Sequence, residues 1–274
     1  MFRWTDDMVR FMRDAAGFGS YQTELAGWIC SQIPQARHVC DAGCGLGFLA
    51  LQLAQRYPRV TAADISEQAL DIAHAQAEEK RVSNLEIVQT DLLAYAPETR
   101  FDAMVFCLFG KMPEILPIAK RCCAGRIVVI KKAFTHHRFS MSRVPLRDEV
   151  TDRAADFLRE RGVRFSLETR EFEMGQPLRS LRDAVRFFEI YSKDAPGTLR
   201  AVKKGIEAAC GDGKSILITE LQQEGGKRTG LEPCCQHHCS NTPFRNRKHD
   251  WLSNYKIDTN KLRISIYLYI IPII

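Results

Sequence analysis

The sequence predicts an α/β protein built on a doubly wound, mostly parallel sheet of seven strands. Short apolar runs alternate with amphipathic helical segments between residues 38 and 132, a pattern typical of parallel strands joined by helices. A glycine-rich turn follows the first of these strands. Two further strand-like runs at about residues 164–173 and 215–221 are separated by a long connection, which predicts an antiparallel last strand at one edge.

The elements are predicted in chain order from hydrophobic spacing. Residues 1–35 form an N-terminal helical cap, because Met8, Phe11 and Met12 recur at helical spacing before a second apolar stretch. A main domain follows over 36–224. Its first five strands are predicted at 38–43, 59–64, 85–91, 101–109 and 125–132.

The second half of the main domain does not continue the regular alternation of strands and helices. A helix is predicted at about 148–161, a strand at 164–173, and helices at 178–191 and 198–209 within a helical insertion over 175–213. SILITEL, residues 215–221, is predicted as the antiparallel seventh strand. Residues 225–274 form a basic tail, interpreted as a disordered appendage, a docking or self-association segment, or a non-native extension.

Composition excludes several classes of protein. The chain has 274 residues, 45% hydrophobic and 26% charged, which suits one globular domain of about 200 residues with appendages. The net charge of +6 comes mostly from the segment after residue 226, so it gives no indication of nucleic-acid binding by the main domain. The ten cysteines lack the spacing of a disulfide framework, and no apolar stretch is long enough for a signal peptide or a membrane helix. We expect a cytoplasmic protein with reduced thiols.

The glycine turn and three acids carry the predicted chemistry. Gly43, Gly45 and Gly47 allow the backbone to turn sharply and approach a ligand. Asp41 and Asp64 end the first two strands, and a third acid ends the third, so the carboxyl ends of parallel strands gather them at one edge. Asp41 suits a cationic amino group, and Asp64 suits the two hydroxyls of a ribose. The third acid, Asp91, suits an exocyclic adenine amine.

These segments together resemble the class I S-adenosylmethionine-dependent methyltransferases, which have a Rossmann-like sheet. DAGCGLG, AADIS, QTDLL and FDAMVFCLF are similar to the family's first four motifs. The resemblance implies that the glycines line the methionine part of S-adenosyl-L-methionine, that Asp64 binds the ribose, and that Asp91 and the Leu92 amide bind the adenine. The predicted cofactor site comprises Asp41, Gly43, Gly45, Gly47, Asp64, Ile65, Asp91, Leu92 and Cys107.

The acceptor side is less determined by the sequence. Family members that methylate planar exocyclic nitrogens carry an Asn/Asp-Pro-Pro-aromatic segment after strand four, where this chain has Cys107-Leu108-Phe109-Gly110. The difference favours a small-molecule acceptor and no nucleic-acid partner. No catalytic residue is assigned; Tyr21, Lys111 and His136, with His137 beside it, are candidates for contact with the acceptor, and packing or solvated loop positions are the alternatives.

Two other functions remain open at this point. Gly45-x-Gly47-x-x-Ala50 satisfies the dinucleotide-binding fingerprint, so an NAD(P)-dependent oxidoreductase on a related sheet is one. A non-catalytic S-adenosylmethionine-binding protein is the other. No metal site is predicted, because Cys40 and Cys44 are read as packing residues and CCQHHC, residues 234–239, lacks the spacing of a zinc site.

Overall fold

The computed structural model describes residues 3–133, 151–196, 200, 215–223, 226–234, 255–257 and 263–273. The helices are α1 (Asp6–Phe18), α2 (Tyr21–Gln32), α3 (Phe48–Ala54), α4 (Glu67–Glu79), α5 (Met112–Cys122), α6 (Thr151–Glu160) and α7 (Leu181–Tyr191). The strands are β1 (His38–Ala42), β2 (Arg59–Asp64), β3 (Leu85–Gln89), β4 (Phe101–Cys107), β5 (Cys123–Lys132), β6 (Ser166–Glu173), β7 (Gln176–Leu178), β8 (Ser215–Gln223), β9 (Gly226–Cys234), β10 (Tyr255–Ile257) and β11 (Arg263–Pro272). The helix predicted at 198–209 falls almost wholly outside the described residues.

Seven strands form the main sheet, in the order β3-β2-β1-β4-β5-β11-β6. β1 is parallel to β2 and to β4, β2 is parallel to β3, and β4 is parallel to β5. β11 is antiparallel to both of its neighbours, β5 and β6. The predicted seven-stranded, mostly parallel sheet with an antiparallel last strand is confirmed, and the order places the carboxyl ends of β1 to β5 along one edge.

The source of the antiparallel strand differs from the prediction. β11 comes from the segment after residue 225, which was interpreted as an appendage outside the main fold, and it lies inside the sheet between β5 and β6. Ile266, Leu268, Tyr269 and Ile271 are at most 1% exposed there. The run ISIYLYIIP carries no charge, as a strand with both faces covered requires. The assignment of SILITEL as the seventh strand is therefore wrong.

SILITEL instead belongs to β8, in a second and smaller sheet. β8 pairs antiparallel with β7, β9 and β10. β8 continues into Gln222 and Gln223, so its last residues are polar. The two β-prone segments thus lie in different sheets, and the more apolar one is in the main sheet.

Two apolar clusters cover the two faces of the main sheet. One contains Leu25, Trp28 and Ile29 of α2, residues of α3 and the inward side chains of β1, β2 and β4. The other contains Met104 and Phe106 of β4, apolar residues of α5 and α6, and two buried residues of β11. Because α2 packs on the sheet itself, only the first helix of the predicted cap lies apart from it.

α1 packs against β7 and α7 of the insertion. Arg10 donates two hydrogen bonds to the Asp183 carboxylate, at 2.9 and 3.1 Å, and the Phe11 and Phe187 rings meet edge to face at 5.2 Å between centroids. The Gln176 side-chain amide donates to the Phe11 carbonyl at 3.1 Å. The N-terminal segment and the insertion therefore form one packed unit. No helix in the described ranges has both the length and the apolar composition to cross a membrane.

Candidate functional site at the carboxyl edge of the sheet

The glycine turn lies between β1 and α3 in a conformation that requires glycine. Gly43, Gly45 and Gly47 all have positive φ, at +75°, +52° and +78°. The amides of Gly43 and Cys44 donate to the Ala63 carbonyl at 2.8 and 3.1 Å, which ties the turn to the end of β2. A Cβ on Gly47 would lie 2.7 Å from the Cβ of Ala73 in α4. The turn is thus fixed by its neighbours on two sides.

Asp41 is the buried acid of the site. Its side chain lies at the end of β1, 1% exposed, and accepts one hydrogen bond from the Ala50 backbone amide. Its second oxygen, Oδ2, has no hydrogen-bond partner among the described residues. Burial, with the nearby Asp64 charge as a smaller cause, raises the pKa of Asp41 from 3.8 to about 7. An unpartnered buried carboxylate oxygen is costly, and a cationic ligand group would satisfy it.

Asp64 connects the turn to the start of α4. Oδ2 accepts the Gly45 amide at 2.8 Å, and Oδ1 accepts the Ser66 amide at 2.9 Å. The Ser66 hydroxyl in turn accepts the Ala69 amide and caps the helix. Each carboxylate oxygen can accept two hydrogen bonds, so Asp64 retains capacity for hydroxyl groups on its open side.

Asp91 follows β3 on the same edge. β3 pairs with β2 so that Gln89 is opposite Asp64, and the Thr90 amide donates to the Asp64 carbonyl at 2.9 Å. The Asp91 Oδ1 accepts the Leu93 amide at 2.9 Å in an Asx turn, while the Leu92 side chain is 4% exposed. The structure therefore brings Asp41, Asp64 and Asp91 to one edge, as the strand order predicts.

Exposed apolar side chains accompany these acids. Five large hydrophobic residues are notably exposed in the described part of the chain, and three of them follow the ends of β2, β3 and β4: Ile65 at 44%, Leu93 at 59% and Leu108 at 48%. Sequence reasoning selected Ile65 alone. A planar apolar ligand lying along this edge would cover such surface.

The thiol of Cys107 lies at the end of β4. Burial, and then the Asp41 charge, raise the pKa of both Cys107 and Cys44 well above that of a free thiol. These thiols are therefore protonated at neutral pH and behave as small packing groups. Among the described residues, no cluster of three or more His, Cys, Asp or Glu side chains is arranged to hold a metal ion.

Two aromatic side chains, which sequence reasoning did not select for the site, contact the glycine turn. The half-buried ring of Phe109 lies on Gly43, such that a Cβ added to Gly43 would be 2.7 Å from Cγ of that ring. On the other side, a Cβ on Gly45 would lie 3.5 Å from Cζ2 of Trp4. The only sequence signal for Phe109 was its place in the segment after β4.

The candidate residues for the acceptor side have different placements. Tyr21 begins α2 and packs edge to face on Phe172 at the end of β6, 5.7 Å between centroids, and burial raises the pKa of its hydroxyl. The charge of Cys107 is a smaller cause that raises the pKa of Tyr21 in the same direction. Lys111 is exposed and begins the turn into α5, where its amide donates to Glu114 at 2.8 Å. His136 and His137 lie outside the described residues.

Residues 39–124 match the family described as "Methyltransferase domain". They include β1 to β4, the glycine turn and the three acids. This segment belongs to the methyltransferase-domain family. The sheet order agrees with the class I S-adenosylmethionine-dependent type that the motifs resemble, so that resemblance is confirmed for the methyltransferase domain.

The similarity to curated relatives covers about a third of this chain. A tRNA1(Val) (adenine(37)-N6)-methyltransferase of Vibrio parahaemolyticus is 37% identical over 84 residues, 30% of this chain and 34% of the relative. A ubiquinone biosynthesis O-methyltransferase of Coxiella burnetii is 32% identical over 93 residues, 33% of this chain and 39% of the relative. The chain thus spans little more than a third of the curated relatives it matches.

The likeness to solved structures extends over most of the chain. The YcgJ protein of Bacillus subtilis aligns over 93% of this chain and 98% of its own, with a TM-score of 0.51 and 14% identity. A Bacillus halodurans protein described as a methyltransferase aligns over 93% and 99%, with a TM-score of 0.51 and 13% identity. At this identity the likeness concerns the fold of the methyltransferase domain and its additions.

Proposed function

We propose that this chain transfers a methyl group from S-adenosyl-L-methionine to a small-molecule acceptor by in-line displacement. The observation that carries the proposal is the unpartnered Oδ2 of Asp41, buried next to a turn in which three glycines have positive φ and carry no side chain of their own. A pyrophosphate, as in NAD(P), would add negative charge beside this carboxylate. The ammonium group of an amino-acid tail would neutralise it.

In this proposal, residues on this edge bind each part of the cofactor. Asp41 would bind the amino group, and the glycine turn would lie against the methionine part. Asp64 has acceptor capacity for the ribose hydroxyls, while Asp91 and the Leu92 amide would bind the adenine edge. The exposed side chain of Ile65 and the thiol of Cys107 would line the cofactor's faces.

The methyltransferase mechanism requires little chemistry from the protein. When bound, the cofactor's sulfonium makes its methyl group electrophilic. The chain's own residues hold the nucleoside in a fixed orientation and align the acceptor behind the methyl group, and such alignment can lower a barrier by about 7–11 kcal/mol. Tyr21 begins α2, and Lys111 follows β4. We assign both residues, together with His136, to the acceptor side.

The acceptor class is argued from the segment after β4. Cys107-Leu108-Phe109-Gly110 stands where exocyclic-nitrogen methyltransferases have Asn/Asp-Pro-Pro-aromatic, and this difference argues against the planar amine of a nucleic-acid base as the acceptor. The relatives include both a tRNA enzyme and an enzyme of ubiquinone biosynthesis, and only the first acts on a base.

Cofactor binding is tested by isothermal titration with S-adenosylhomocysteine. We expect binding in the micromolar range that Asp64→Ala weakens at least tenfold, about 1.4 kcal/mol or more. Asp71→Ala, which removes an exposed acid from α4, is the matched control and should bind normally. Absence of binding by the wild-type protein would refute the proposal.

The acceptor is tested with methyl-labelled cofactor and fractionated cell extract. We expect label to enter the low-molecular-weight fraction and to persist after nuclease treatment. Label that disappears with ribonuclease would replace the small molecule by an RNA acceptor. Binding of the cofactor with no labelled product in any fraction would support the non-catalytic alternative.

A further inference from the structure

Phe109 occupies a part of the site that the proposed cofactor needs. Its ring covers the side of Gly43 from which a Cβ would project, with three ring atoms within 3.0 Å of that position. The methionine part of the cofactor would lie against the same turn, beside Asp41. The ring and an amino-acid tail therefore compete for one space.

The backbone around Phe109 is held in this position by Lys131. The Lys131 ammonium, on a side chain that is 9% exposed, donates to the carbonyl of Phe109 at 3.0 Å and to that of Gly110. Leu108 has φ of +56°, which is uncommon for a residue with a Cβ, and its amide donates to the Ile130 carbonyl at 3.0 Å. A loop with this backbone needs such contacts to persist.

The Phe109 ring also packs near a second aromatic ring. Phe109 lies 6.0 Å from the fully buried ring of Phe106, with an angle of 32° between the planes. Phe109 itself is half-buried, so part of its ring is exposed. The segment 108–110 thus combines a backbone held by Lys131 with a partly exposed aromatic side chain.

We infer that Phe109 sets the affinity of the site for the amino-acid part of the sulfonium nucleoside, and that Lys131 is the positioning residue that holds Phe109 over Gly43. This rests on the proposed function. A ligand with the tail must displace the ring. A nucleoside without it, which needs only the edge formed by Asp64 and Asp91, does not.

The test compares two ligands that share the adenosine and its sulfur. S-adenosylhomocysteine carries the amino-acid tail, whereas 5′-methylthioadenosine ends in a methyl group. Phe109→Ala should bind S-adenosylhomocysteine about tenfold more tightly than the wild type, since a half-buried ring no longer has to be exposed. Its affinity for 5′-methylthioadenosine should change less than about twofold. Phe18→Ala, which truncates a ring that is 47% exposed at the end of α1, is the control and should match the wild type with both ligands.

Lys131→Met separates positioning from general stability. It should shift the ratio of the two affinities in the same direction as Phe109→Ala, and the double variant should bind S-adenosylhomocysteine no more tightly than Phe109→Ala alone. Lys120→Met, which removes an exposed lysine from α5, should leave the ratio unchanged. A melting temperature alone would not distinguish these roles, but the ratio does.

Three results would overturn the inference. If Phe109→Ala weakens S-adenosylhomocysteine binding selectively, the ring packs on the tail instead of competing with it. If both ligands change together, the loop has only a structural role. If neither ligand binds the wild type or any variant, the proposed function fails as well, which distinguishes that failure from the first two.

Discussion

Asp41→Asn should make the ligand-free protein more stable at pH 8. The folded protein raises the pKa of Asp41 from 3.8 to about 7 through burial. A raised carboxyl pKa means that the folded state binds more protons than the unfolded state between these values, so stability falls as pH rises through this window. About three pKa units at 1.36 kcal/mol each give a penalty of about 4 kcal/mol above pH 7.

The asparagine removes the charge but leaves an amide where Oδ2 had no partner. Leaving that buried donor unpaired costs about 1–3 kcal/mol, so we expect a net gain of about 1–3 kcal/mol at pH 8. The other groups titrate in both proteins, and the difference between the two curves therefore isolates Asp41. That difference should shrink as pH falls and vanish or reverse near pH 4.

Urea unfolding of both proteins across pH 4 to 8 measures this difference, with Asp71→Asn on the exposed face of α4 as the control. S-adenosylhomocysteine binding should be weakened in the same Asp41 variant. A stability difference that is constant with pH, or an Asn variant that is less stable than the wild type at pH 8, would refute the reasoning. It would mean that the ionised Asp41 carboxylate does not destabilise the ligand-free protein.

Three further predictions follow from the structure. The wild-type affinity for S-adenosylhomocysteine should rise about tenfold from pH 6 to pH 8 in titration calorimetry. The reason is that the ionised fraction of Asp41, with a pKa of about 7, rises by that factor. The affinity of Asp41→Asn should not change over this pH range. Gly47→Ala should lower the melting temperature, because it adds a Cβ at a residue with φ of +78° and places it 2.7 Å from the Cβ of Ala73. In a double-mutant cycle, Ala73→Gly should recover part of the lost melting temperature. Equal losses with Ala73 and with Gly at position 73 would exclude the clash as the cause. Ending the chain at residue 224 removes four buried β11 side chains, each of which contributes about 1.5–3 kcal/mol to stability. Because their sum is comparable with the whole stability of a domain, the truncated chain should show no cooperative unfolding transition by circular dichroism. A normal transition would mean that β11 is dispensable.

The sequence predicts the parallel half of the fold because that half is encoded locally. Each of β1 to β5 is a short apolar run, and the acids at the ends of the first three mark the binding edge. β4 was predicted to run to residue 109, but it ends at Cys107 because Leu108 turns into the left-handed region. No local residue pattern predicts that turn, because it is held by hydrogen bonds to the Lys131 side chain and the Ile130 carbonyl.

The seventh strand could not be assigned from periodicity alone. SILITEL and ISIYLYIIP are both β-prone, and choosing between them requires knowing which strand is covered on both faces. The continuous apolar character of the second segment was the available signal. Trp4 and Phe109 were missed for a related reason, because their contact with the glycine turn joins positions distant in sequence.

The placement of β11 has a consequence for how the molecule is made. Among the described strands, β6 pairs in the main sheet with β11 alone, and β11 lies much later in the sequence. Contacts between residues far apart in sequence form late in folding, so we expect the corner where Phe172 meets Tyr21 to be complete only when β11 has paired with β6. Until β11 pairs with β5, that side of the parallel strands is an open strand edge, which is the kind of surface that promotes aggregation.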